Sequence, residues 1–124
     1  MRTLTILFFS LLTMPLMLNA QTVEDMLSKV SAAIEADQQG QAVSYFRQAI
    51  KLEINRSEMY YWTTVDKNSL ICPKLANEMA TAFKKNRNYD KAYLFCKELL
   101  QKSPGNVDYL EACAEMQVCR GQEK

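Results

Sequence analysis

Beyond residue 20 the chain carries one hydrophobic period, and it is the period of a helix. In "TVEDMLSKVSAAIEA" the residues Val23, Met26, Leu27, Val30, Ala33 and Ile34 recur at spacings of three and four. That spacing gathers them on one stripe of a helix, with Thr22 as its N-cap. "AVSYFRQAIKLEI" repeats the pattern through Ala42, Phe46, Ala49, Ile50 and Ile54, and Ser57 is placed to cap a shorter helix, "EMYYWTTV". "DKNSLIC" reads as a loop, and Pro73 suits the first turn of the helix "KLANEMATAFKK". "YDKAYLFCKELLQK" and "VDYLEACAEMQVC" complete the series, separated by Ser103-Pro104-Gly105-Asn106. There is no sustained alternation of apolar and polar residues, and only three Gly and three Pro occur in 124 residues. The expected fold is therefore all-α. An amphipathic helix of about a dozen residues cannot hide its apolar stripe alone, so antiparallel hairpins must stack on one another.

The first twenty residues follow a different rule. "MRTLTILFFSLLTMPLMLNA" has one early cation, Arg2, then an apolar run from Leu4 to Leu18 and a small-residue exit at Ala20. This is the pattern of a secretory signal. The run falls short of the roughly 20 apolar residues a membrane span prefers, and Pro15 interrupts it. The expected product is exported, periplasmic or extracellular, soluble, and begins at Gln21. A retained leader tethering the domain to a membrane is the alternative. Removing Arg2 leaves 14 cations against 14 anions. Such a balance argues against nucleic-acid binding, which needs a basic surface to displace counterions.

Residue chemistry narrows the functions further. The chain has no His, which excludes Cys-His and Ser-His nucleophiles and His-metal sites. Export would place Cys72, Cys96, Cys113 and Cys119 where oxidation is possible, and four thiols allow three full pairings. Cys113 and Cys119 are separated by about 9 Å along a continuous helix and cannot bridge there. The spacings lack the close pairs of a zinc site. Burial as small apolar side chains is the favoured reading of these cysteines, with no cofactor, no metal and no enzymatic activity expected. The rival is a thiol-based redox protein using Cys72, whose place beside Pro73 at a helix N-terminus can lower a thiol pKa.

Residues 73 to 106 can be read as one 34-residue unit. Ala76, Met79, Ala80 and Phe83 occupy its first helix, Tyr89, Ala92, Cys96 and Leu99 its second, and Pro104 closes it. With small residues at Ala80 and Ala92 for a close helix crossing, this unit resembles the tetratricopeptide repeat. Cys96 stands in place of the usual aromatic and Leu99 in place of the usual small residue. A weaker copy spans 23–56, with Val30, Ala42, Phe46 and Ala49 in register and Ile54 where Pro is expected. Ala42 and Ala92 lie 50 apart, one unit plus 16 residues, so 57–72 is an additional helix and loop. A partial unit spans 107–124. The resemblance implies a short solenoid over 21–124, whose last hairpin lacks its second helix.

The resemblance also implies a protein-binding scaffold or adaptor, whose partner lies along the first helix of each hairpin. Those positions are Lys74, Asn77, Thr81 and Lys84 in one unit and Asp108, Glu111 and Glu115 in the next. A cationic row would thus lie beside an acidic one. An ordinary solvated face crossed by ion pairs is the favoured alternative. Tyr60, Tyr61 and Trp62 point about 100° apart on a helix, so they cannot share one face. They suit a wedge between two imperfectly stacked hairpins first and a binding site second. Asn55-Arg56-Ser57 matches a glycosylation acceptor. Tyr109, Met116 and Val118 are expected to be partly bare on the last helix, where they would support self-association.

Overall fold

A computed structural model describes residues 22–67 and 70–123. The leader expected over residues 1 to 20 lies outside the described residues. Among the described residues six α-helices follow in order: α1 Val23–Glu35, α2 Gln39–Leu52, α3 Ile54–Thr63, α4 Cys72–Lys85, α5 Tyr89–Lys102 and α6 Val107–Glu123. A single 3-10 turn, Val65–Lys67, follows α3. Among the described residues there is no strand, as the period predicts.

Local chemistry sets most of the helix ends. Thr22 and Asp25 form a reciprocal capping box at the start of α1, satisfying two otherwise orphaned amides. Pro73 lies in the first turn of α4, where its missing N–H costs nothing. Asn88 and Asn106 accept hydrogen bonds from the Lys91 and Tyr109 amides and so cap α5 and α6.

Two ends differ from expectation. Ser57 does not cap α3. The chain breaks at Glu53, whose extended backbone separates α2 from α3. Ile54 therefore opens α3, and Ser57 is a buried interior residue donating its hydroxyl to the Glu53 carbonyl. The glycosylation acceptor consequently lies in the first turns of a packed helix.

The α1–α2 and α4–α5 pairs are two copies of one hairpin, 50 residues apart. Met26, Val30 and Ala33 match Ala76, Ala80 and Phe83, while Ala42, Phe46 and Ala49 match Ala92, Cys96 and Leu99; all are buried. Their turns match bond for bond. Gln38 N donates to Ala33 O at 2.8 Å and Asn88 N to Phe83 O at 2.9 Å. Asp37 and Arg87 take left-handed backbones at φ 56° and 61°, a helix-ending geometry more usual for Gly or Asn. The sequence offset of 50 is thus a structural repeat, with α3 placed between the copies.

α3 touches α1, α2 and α4 along its length, and its rings reach α5. The Tyr61 ring meets Phe95 edge-on at 5.1 Å, and Trp62 stacks on Phe95 at 5.0 Å. Tyr60 lies 6.3 Å from Phe46, and its hydroxyl and that of Ser31 are 2.6 Å apart. Tyr60 and Tyr61 are therefore core side chains, closed to a partner, while Trp62 is half-buried. The hot-spot reading fails for the two tyrosines because α3 has hairpins on both sides.

α6 packs on α5 through Cys113 and Met116. Met116 is only 2% exposed, so it is not part of a bare surface. Tyr109 is half-buried, and Val118 is exposed as expected. Val107 and Leu110, not singled out for exposure from the sequence, are bare as well.

Ala80 and Ala92 are both buried within the second hairpin. Replacing Ala92 with Trp should destabilise the fold by about 1–3 kcal/mol or more through overpacking. A thermal melt checks this, and an unchanged midpoint would show that the second hairpin tolerates a bulky ring there.

Candidate functional site

The two rows expected to face a partner are partly tied to the fold. Lys84 Nζ lies 2.7 Å from Glu115 Oε1, joining α4 to α6. Lys74 donates to Gln39 on α2 at 2.7 Å. Thr81 turns its hydroxyl back to the Asn77 carbonyl at 2.8 Å. Asn77, Asp108 and Glu111 are exposed. The cationic and acidic rows thus meet in one ion pair, and much of their charge is spent on joining helices. Exposed pairs of this kind stabilise by only about 0–1 kcal/mol.

A groove runs along the outer side of α2 and α4. The two helices point the same way, since Gln39 meets Lys74 near their starts and Arg47 meets Glu78 farther on. Arg47 makes a two-pronged contact, donating from Nε at 3.0 Å and from Nη2 at 2.7 Å, a geometry that fixes both side chains. Past that bridge the helices leave a cavity of about 460 Å³, within the usual range for ligand sites. Ile50, Ile54 and Ala82 line it, and Lys51 and Lys85 stand exposed along it. Thr81 is the one residue of the expected partner row that lines this groove. The Arg47, Lys51 and Lys85 side of the groove was missed from sequence. These residues come from two helices with ordinary amphipathic patterns, and only the pairing of α2 with α4 brings them together.

A polar knot lies where α3 and the turn after it meet α4 and α5. Asp66 follows α3, Cys72 opens α4 and Glu98 projects from α5; their thiol and carboxylate atoms lie within 4.8 Å of one another. The Tyr61 hydroxyl is 2.8 Å from Cys72 Sγ and donates to Glu98 at 3.5 Å. Lys102 Nζ stands 3.8 Å from Asp66 and 4.0 Å from Glu98. One thiol and two carboxylates are metal-ligand types, but Lys102 already supplies the knot with positive charge.

Burial dominates the electrostatics of the knot. It pushes the Cys72 thiol up, opposing the lowering expected at a helix N-terminus. Cys72 is fully enclosed and bonded to Tyr61, a poor setting for a reactive thiolate. Burial also pushes the Tyr61 hydroxyl well up. Across the α5–α6 contact, burial and the facing Cys113 thiol push Cys96 up to about 12. All four cysteines are unbridged, and Cys113 and Cys119 share one continuous helix as expected.

Glu98 gives this knot a pH dependence. Burial first, then its hydrogen bond to Asp66 and that group's charge, raise it to about 7. Asp66 Oδ1 is enclosed and faces the Lys102 ammonium only at 3.8 Å, beyond hydrogen-bond reach, so a second charge beside it is costly. A carboxyl raised from its ordinary 4.5 contributes full stability below that value and loses it as pH rises through about 7. The chain has no His to titrate in the same window. The folding stability should fall between about pH 4.5 and pH 7 by an amount on the order of 1–3 kcal/mol, lowering the thermal midpoint, and Glu98→Gln should flatten the fall. A slope that survives Glu98→Gln would assign the dependence elsewhere.

No family model matches the chain, and no curated protein matches it. A crystal structure of a "putative protein binding protein" from Bacteroides ovatus is similar at 78% identity, with a TM-score of 0.78. The match covers 83% of this chain and 50% of that one, so the chain spans about half the length of the solved protein.

Proposed function

We propose that this chain is a non-enzymatic protein-interaction module, a scaffold or adaptor of tetratricopeptide-like hairpins, exported to the periplasm or cell envelope. The observation that carries the reading is the free side of α6. Val107, Leu110 and Val118 are 63%, 49% and 60% exposed. With Ala114 they form one stripe of the helix, opposite the side that Cys113 and Met116 press against α5. Single exposed apolar residues are ordinary, but several aligned on one stripe make a surface suited to a protein contact. The similar Bacteroides ovatus protein, described as protein binding, supports the same class of role. The leader pattern at residues 1 to 20 supports export.

A redox role for Cys72 has less support, because the thiol is enclosed and pushed up by burial. A retained leader is the source a membrane tether would use; among the described residues no helix is long and apolar enough to cross a membrane.

The test is a photo-crosslinker at Leu110 in the source cells. It should give a discrete adduct with one protein or with a second copy of the chain. Val107→Glu with Val118→Glu should remove that adduct and leave the folding stability within about 1 kcal/mol of the parent, as expected for surface changes. An adduct unaffected by the double change, or no adduct at all, would contradict this use of α6.

A further inference from the structure

The groove between α2 and α4 combines three features that together specify a ligand. It is bridged by the two-pronged Arg47–Glu78 contact, which ties the two helices together along its wall. Its lining carries an apolar strip, with Ile50 buried and Ile54 and Ala82 half-buried, edged by Thr81 and Asn86. Each helix contributes one exposed cation there, Lys51 from α2 and Lys85 from α4. Neither lysine forms an ion pair with any described residue.

The electrostatic sign follows from magnitudes. Both lysines lie in the last turn of their helices, whose ends each carry roughly half a negative charge. Two full positive charges outweigh two half charges, so this end of the groove is net cationic. An apolar ligand alone would leave the lysines unanswered, and a basic one would be repelled. A small anion would leave the apolar lining wet.

From this arrangement we infer a second binding surface, a peptide groove that takes a short segment with an apolar side chain flanked by carboxylates. The inference rests on the reading of the chain as a protein-interaction module and adds to it the chemistry of one partner segment. The apolar side chain covers Ile50, Ile54 and Ala82, while the flanking carboxylates meet Lys51 and Lys85. Apolar contact supplies the anchor, and charge sets direction and selectivity.

The full chain can be titrated into a fluorescein-labelled hexapeptide with two central leucines and two acidic residues on each side, read by fluorescence polarisation. The expected result is saturable binding that weakens with added salt. Lys51→Glu with Lys85→Glu should weaken it at least about tenfold. Ala82→Trp, which fills the groove, should do the same by a different route. A hexapeptide with lysines in place of the acidic residues should fail to bind. No binding of the acidic peptide, equal binding of the basic one, or indifference to both variants would overturn the assignment. The Val107→Glu and Val118→Glu variant should bind the peptide unchanged. Failure at the groove with retained crosslinking at α6 therefore removes only the groove, while loss of both removes the interaction-module reading itself.

Discussion

The fold depends on what Phe95 touches. This buried ring on α5 receives Phe83 from its own hairpin at 5.9 Å and Tyr61 and Trp62 from α3 at 5.1 and 5.0 Å. Each aromatic contact adds about 0.5–1.5 kcal/mol beyond the area it buries. On the opposite side of α3, Tyr60 packs near Phe46 and exchanges a hydrogen bond with Ser31. Three consecutive aromatic residues that cannot share a face thus serve two different hairpins. Two salt bridges flank them, Arg56 to Glu24 on α1 and Lys91 to Glu58 between α5 and α3. Without α3, the copies of the hairpin would each present an apolar side to water.

The same junction explains the polar knot. Where α3 ends and the chain crosses to α4, Asp66, Cys72, Glu98, Tyr61 and Lys102 are brought together. A junction made only of apolar groups would hold at any pH. Two half-buried carboxyl groups with one lysine between them make it tighter when Glu98 keeps its proton. The knot joins α3 and the turn after it to the second hairpin, so protonation at Glu98 acts on the hold between α3 and that hairpin.

The sequence exposed these features unevenly. Helices were legible because the apolar period of three and four runs nearly unbroken from Val23 to Cys119. The duplicated hairpin was legible because Ala42 and Ala92, both buried, mark equivalent crossings. The start of α3 was not, since Ser57 looks like a cap and nothing in its residue type shows that it is buried. The burial of Met116 and the exposure of Val107 and Leu110 depend on which side of α6 meets α5, a rotation that period alone leaves open. Of the expected partner row, Thr81 lines the groove, Lys84 is tied to Glu115, and Tyr60 and Tyr61 are enclosed. The groove itself could not be read, because Lys51 and Lys85 lie 34 positions apart and become neighbours only through the packing of α2 on α4.

The central claim is that α3 joins the two hairpins into one cooperative unit. Trp62 is the chain's single tryptophan, and it stacks at the join, so its fluorescence reports that contact directly. Thermal unfolding followed at once by Trp62 fluorescence and by far-ultraviolet circular dichroism should give coincident transitions, the signature of a two-state domain. Loss of the Trp62 signal well before the helical signal would mean that α3 detaches while the hairpins survive, and that the join does not hold the fold together.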